Sequence, residues 1–301
     1  PRLEPAPFLA ADLSPAPAED LRLDDLVQFV QNPVKAFWRQ RLDVALPGDE
    51  ELLDEDLPIT LDGLDRWKIG QRLLDAAVRG VPADDAWGAI WRAGMLPPGR
   101  LGAARSADVG TRVATLVQGT QALREGEPVS IDVDVALPDG RRLTGTIEGV
   151  HDQRVVTVSY STVHGRHRLR DWVRLLALAA DRPEHAWGGH TAGKSGRGTA
   201  QLVTHAPTLG LVRPLPLPVE LALLYASKLR NLGPHAAERL AATEWRRSPG
   251  RFGPAPERDA EEIVRVWGRN APFRALLDDG FTRWAPRLWD GALDHQREAA
   301  L

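Results

Sequence analysis

The hydrophobic pattern of this 301-residue chain changes period twice, and that change limits its fold more than anything else in the sequence. Between residues 21 and 125 apolar side chains recur at the helical spacing of about 3.6. The stretch VSIDVDVALPDGRRLTGTIEGV then alternates at a period of about two, around Asp139-Gly140, which is a hairpin signal. HDQRVVTVSY supplies a third strand over 154–160. RLRDWVRLLALAAD returns to the helical period, and Pro183 ends it. Two further strands are predicted at 185–191 and 199–205, joined by the glycine-rich GGHTAGKSGRG. Such an order predicts an α/β domain with a central mixed sheet, β-β-β-α-β-β, flanked by N- and C-terminal helices.

The flanks read as follows. Residues 1–20 carry five prolines and form a linker. LRLDDLVQFVQNPVKAFWRQRLDV reads as two helices, the first capped by Asp24 with an apolar face of Leu26, Val27 and Val30. Asn32-Pro33 opens the second, with Pro33 at its first position and Phe37, Trp38 and Leu42 following. Residues 43–65 hold nine acidic side chains and no Lys or Arg, an irregular, solvated stretch. LDGLDRWKIGQRLLDAAVRG is an amphipathic helix facing inward through Leu64, Trp67, Ile69, Leu73, Leu74 and Ala77, ended by Gly80. Helices are predicted over 83–93, 106–125, 218–231, 234–245, 256–267 and 271–297. The expected organisation is a linker (1–20) and a single domain (21–301). That domain divides into a helical region (21–125), a β/α core (126–210) and C-terminal helices (211–301).

The absence of cysteine excludes disulfides, thiolate zinc sites, iron–sulfur clusters and cysteine nucleophiles, and fits a reducing, cytoplasmic setting. No apolar run of about 18 residues exists to cross a membrane, and no signal peptide is expected at the start of the chain. The first residue is Pro1, so the chain is expected to be a fragment of something longer. A net charge of −3 does not announce a nucleic-acid binder. Its distribution says more, since residues 141–174 hold seven Arg against Glu148, Asp152 and Asp171. Only Lys35, Lys68, Lys194 and Lys228 are lysines, so arginine alone is not read as phosphate recognition.

Gly188 to Ser195 match G-x-x-x-x-G-K-[ST], the phosphate loop of many nucleotide-binding proteins. That loop works between a buried strand and the N-terminus of a helix. Here a β-like segment follows, which favours a glycine-rich hairpin loop. His164 and His167 flank Gly165, and Glu148, His151 and Asp152 lie close together, but no third pair completes a metal site. Ten tryptophans are many for this length. Trp38, Trp67, Trp87, Trp91 and Trp172 sit at helical positions and are expected in the core, while Trp187 is not assigned to it.

Leu26, Phe29, Pro33 and Phe37 form the helix-pair signature that opens RecB-type nuclease domains. With the order of elements, they make residues 21–301 resemble the C-terminal domain of exodeoxyribonuclease V gamma subunits (RecC). That domain is a degenerate form of the restriction-endonuclease-like, PD-(D/E)XK fold. Active members need an Asp on the second strand and (Asp/Glu)-x-Lys on the third, the two carboxylates holding a divalent metal. The resemblance aligns these slots with Glu148, Ser159 and Ser161. It places Trp172 and Leu176 where active members carry a Gln-x-x-x-Tyr pair. Gly70 is followed by Leu73-Leu74 where they carry a metal-binding His.

The resemblance therefore implies a non-catalytic domain of a helicase–nuclease that acts in double-strand-break repair and recombination. RecB and RecD subunits are the implied partners and duplex or forked DNA the ligand, with no cofactor, metal or small-molecule substrate. Arg141, Arg142, Arg166, His167, Arg168 and Arg170 are the candidate DNA contacts. The alternatives are a divergent active nuclease and a scaffold that never touches DNA.

Overall fold

The structure, a computed structural model, describes residues 19–44, 63–97, 100–163, 165–194, 200–205 and 296–300. They form six α-helices, a short 3-10 turn and a mixed seven-stranded sheet. Described residues 19–44 and 134–145 belong to one compact unit and the other described residues to a second. No helix among the described residues is long and apolar enough to cross a membrane.

In the first unit, β1 (Leu21–Arg22) runs parallel to the start of β3 (Arg142–His151), with Leu21 opposite Leu143. Helices α1 (Leu23–Gln31) and α2 (Pro33–Leu42) follow. They bury Leu23, Val27, Val30, Val34, Ala36 and Trp38. Pro33 opens α2 as expected, and the Asn32 side chain caps it by accepting the Lys35 N–H at 3.0 Å. Asp24 is not the cap of α1. Arg22 holds that position without a side-chain bond, and Asp24 lies in the first turn, where its charge complements the helix dipole.

The predicted hairpin forms between β2 (Val129–Ala136) and β3, turning at Gly140, whose φ is 87°. Ile131, Val133, Leu143 and Ile147 point inward at a two-residue period, and Val150 is buried one residue out of that phase, after Gly149 with its positive φ. The intervening residues make outward bonds, Thr146 to Asp132 and Arg142 to Asp134.

The second unit is layered about β4 (Arg154–Thr162) and β5 (Gly188–Lys194). These two strands are parallel neighbours, so a crossover must join them, and α6 (Gly165–Asp181) supplies it. One face of the pair meets α3 (Gly63–Val78), α4 (Ala83–Arg92) and α5 (Arg100–Thr120), whose Ile69, Leu73, Leu74, Ile90, Val109, Val113 and Leu116 form a core with Tyr160 and Ala192. The other face meets α6, with Leu169, Trp172, Leu175 and Leu178 buried. Each such side chain contributes about 1.5–3 kcal/mol by leaving water.

One charged group lies inside this apolar contact. Asp171 of α6 is only 4% exposed. Its carboxylate accepts from Arg170 at 2.7 and 3.0 Å, from Thr191 of β5 at 2.7 Å and from Thr157 of β4 at 3.4 Å. The crossover helix is thus bonded to both strands that it joins.

Helix α5 begins at Arg100 rather than 106, and residues 121–124 are a 3-10 turn. Leu64 is 57% exposed and Trp67 and Trp91 38% each, so none of the three lies in the core. Trp187 does: it is 5% exposed, and its indole N–H donates to the Arg182 carbonyl at 2.9 Å. The sheet also gains strands beyond the expected five, β1 and β7 (Gln296–Ala300). The sequence predicts the end of a helix at residues 296 and 297; instead β7 pairs antiparallel with β6 (Ala200–His205). That β6 edge needs backbone partners whatever the local propensity of its neighbour. The other helices expected beyond residue 211, the linker over 1–18 and most of the acidic stretch lie outside the described residues.

Replacing Asp171 by Ala strands the half-buried Arg170 guanidinium and two hydroxyl donors. Stability should fall by about 3–5 kcal/mol, read as a lower urea midpoint. Asp171→Asn, whose amide oxygen keeps an acceptor for one of the threonines, should lose less.

Candidate nucleic-acid interface

Two of the three positions that the resemblance aligns with nuclease slots, Ser159 and Ser161, make hydrogen bonds within the fold. Glu148 is exposed on β3, one residue before Gly149, whose left-handed backbone (φ 71°) accompanies the short β3–β4 pairing at Val150↔Val155 and His151↔Arg154. Ser159 and Ser161 lie where β4 slips its register against β5, between Val158 and Thr162. Ser159 Oγ accepts the Ser161 N–H at 3.1 Å. The Gln71 side-chain oxygen on α3 accepts the Tyr160 N–H at 2.9 Å and lies 3.4 Å from Ser159 Oγ. Ser161 Oγ accepts the Trp67 indole N–H at 2.7 Å. Both hydroxyls thus secure the strand irregularity to α3. Of the three aligned slots only Glu148 carries a carboxylate, so these residues do not fit a metal site built on two acidic ligands.

Among the described residues no three His, Asp or Glu side chains gather as a metal site. His151 is buried at the end of β3, with an Nδ1 that makes no hydrogen bond. Asp152 takes a positive φ of 54° in the turn that follows. His164 lies outside the described residues. Trp172 and Leu176 are buried apolar residues of α6.

The glycine-rich string is not a loop where the structure describes it. Residues 188–194 are strand β5, paired with β4 on one side and antiparallel with β6 on the other. Its glycines answer to packing. A Cβ on Gly189 would stand 2.9 Å from the Leu175 side chain of α6, and one on Gly193 2.7 Å from the Ser161 carbonyl. With β6 beginning at Ala200, the string leads into a hairpin, not into a helix whose N-terminus could face phosphates.

The arginines fall into two groups. Arg141 and Arg142 lie at the β2–β3 turn in the first unit. Arg141 pairs with Asp139 at 2.6 Å and Arg142 with Asp134 at 2.6 Å. The hydrogen bonds from these guanidiniums hold both carboxyls below the usual carboxylate range. Arg166, His167, Arg168 and Arg170 follow one another on the first turns of α6 in the second unit. Arg166 is exposed, and His167 and Arg168 are half-buried. Arg170 points to Asp171. Burial pulls its pKa down, but the charge of Asp171 and its hydrogen bonds outweigh that and leave it raised.

The described residues thus combine a helical opening with a mixed β/α core. The chain belongs to the RecC C-terminal domain family, whose profile matches residues 18–230. It is 36% identical over 92% of its length to the RecBCD enzyme subunit RecC of Mycobacterium tuberculosis H37Rv. It is 37% identical over 90% to that of Mycolicibacterium smegmatis, and 26% identical over 75% to that of Escherichia coli K12. It spans 26% of the length of the two mycobacterial proteins and 18% of the third.

The β5 geometry generates a direct expectation. Calorimetric titration with Mg·ATP should show no saturable heat; micromolar binding abolished by Lys194→Ala would contradict it.

Proposed function

We propose that this chain is a non-catalytic, DNA-engaging domain of a RecBCD-type helicase–nuclease, acting in double-strand-break repair and recombination. The observation that carries the reading is the pair of serine hydroxyls, Ser159 and Ser161, bonded to β4 and α3 where active relatives would place a carboxylate and a lysine. The order β2-β3-β4-α6-β5 supports a restriction-endonuclease-like core over residues 126–210, within one domain over 21–301. By family, its partners are RecB and RecD subunits, and its setting is the bacterial cytoplasm. It needs no cofactor, metal or small-molecule substrate of its own.

Duplex or forked DNA is the ligand of this reading, and Arg141, Arg142, Arg166, His167, Arg168 and Arg170 are its contacts. The strongest weight falls on the first turns of α6. Arg166 is exposed there, beside backbone N–H groups that favour anions. Arg141 and Arg142 act with their charge shared by Asp139 and Asp134, and Arg170 acts mainly by anchoring Asp171. Contacts of this kind go to phosphates and carry no sequence preference.

Two measurements test the reading. Linear DNA incubated with the chain and Mg²⁺ or Mn²⁺ should remain intact. Degradation that disappears in Glu148→Ala would restore the active-nuclease alternative.

Forked DNA followed by anisotropy should bind weakly and in a salt-dependent way, with a log–log slope near −0.9 per duplex phosphate neutralised. Arg166→Ala with Arg168→Ala should weaken binding to unrelated sequences alike and flatten that slope by about two. Unchanged affinity and slope in the double variant would favour the pure scaffold.

A further inference from the structure

A second cationic site lies at the carboxyl ends of β4 and β5. Lys194 is the last residue of β5, and its Nζ stands 4.9 Å from the centre of the Tyr160 ring. The Arg112 guanidinium of α5 lies 5.8 Å from the same centre. Arg66 of α3 reaches Asp108 of α5 at 3.7 Å. Of these three cations, Arg66 is the one paired with Asp108. Tyr160 adds no charge, because burial raises its pKa. Burial first, and then the charge of Arg112, lower the pKa of Lys194, so the two cations repel each other. Among the described residues, neither Arg112 nor Lys194 has an ion-pair partner. Two like charges crowded in this way are relieved by an anion.

Beside them stands Trp67, adjacent to Arg66 in sequence and bonded to Ser161, the neighbour of Tyr160. It is 38% exposed, and with its N–H committed, what it offers to solvent is ring carbon. A half-exposed indole next to unpaired cations suits stacking on a base and holding its phosphate. The place fits as well. In open α/β sheets, ligands bind outside the carboxyl ends of the strands.

We propose that this corner binds single-stranded nucleic acid, with Arg112 and Lys194 on a backbone phosphodiester and Trp67 stacked on an unpaired base. The proposal rests on the DNA-engaging reading but uses none of its residues. A duplex fits less well, because its bases already stack on one another and leave Trp67 no face.

The test is anisotropy of the 301-residue chain with a labelled oligothymidylate, beside a duplex of unrelated sequence and an ATP competition. Arg112→Gln with Lys194→Gln should weaken oligothymidylate binding by about tenfold or more. It should also flatten the salt slope by about 0.7 for each phosphate no longer neutralised. Trp67→Ala should cost roughly five- to a hundredfold on the single strand and little on the duplex. In the parental chain, which needs no substitution to fold, oligothymidylate should protect Lys194 from acetylation more than Lys35. No single-strand binding, unchanged affinity in the double variant, or unprotected Lys194 would each overturn the proposal. Competition by ATP at the oligonucleotide's own potency would reassign the site to a free nucleotide phosphate. Duplex binding that falls with Arg166→Ala and Arg168→Ala while the Arg112 and Lys194 variants change nothing keeps the α6 face and removes this site. The converse pattern keeps this site and removes the α6 face.

Discussion

The crossover from β4 through α6 to β5 is the constraint on which the second unit depends. Parallel neighbours cannot be joined by a tight turn, so the helix must lie across the sheet, and a buried carboxylate fixes where it lies. Asp171 bonds to Thr157 on one strand and Thr191 on the other, with its charge compensated by the adjacent Arg170. Hydrophobic contact alone tolerates sliding of a helix over a sheet; a carboxylate with named donors on both strands does not. Burying that ion pair adds little stability compared with an apolar substitute, so its physical role is register. Gly189 beneath Leu175 serves the same end by letting the helix approach closely.

What could be read in advance is what depends on neighbours in sequence. Pro33 at a helix start, the Asp139-Gly140 turn and the alternation of Ile131, Val133, Leu143 and Ile147 are local signals, and each appears as an element. The glycine-rich string misled because glycine signals a loop when the reason for it is local. At Gly189 and Gly193 the reason is remote: a helix side chain above one and a neighbouring strand's carbonyl beside the other. β7 was hidden for the same cause, since an edge supplied by β6 decides its conformation. Trp67 and Trp187 exchanged their expected environments because each is placed by one hydrogen bond to a residue that periodicity cannot identify, Ser161 for the first and the Arg182 carbonyl for the second.

The candidate site shows the same division. Serine at 159 and 161 was visible in the sequence, but its consequence was not. In the fold these hydroxyls and Gln71 satisfy a strand whose pairing is interrupted, so the positions have acquired a structural use. Restoring a carboxylate at Ser159 would put a negative charge beside the Gln71 oxygen and remove the hydroxyl donor that faces it. Under the proposed reading, the missing chemistry is thus excluded by packing as well as by composition.

A chain with net charge −3 can still attract a polyanion if its charges are segregated. Screening limits each charge to about 10 Å at 0.1 M salt, so a ligand responds to the patch that it approaches, not to the total. Around Tyr160, Arg66, Arg112 and Lys194 outnumber Asp108 among the described residues, so the local balance there is positive although the net charge of the chain is not. Tyr160 explains how such a balance persists without unfolding the corner. Its ring is buried, its hydroxyl stays protonated, and its face attracts both cations. An attraction of that kind offsets part of the mutual repulsion, and although Arg112 also bonds to the Tyr160 side chain, its remaining N–H donors are left for an incoming phosphate. A carboxylate in the same place would have neutralised them. The choice of an aromatic partner over an acidic one is therefore the feature that separates a latent anion site from an ordinary buried salt bridge such as that of Asp171.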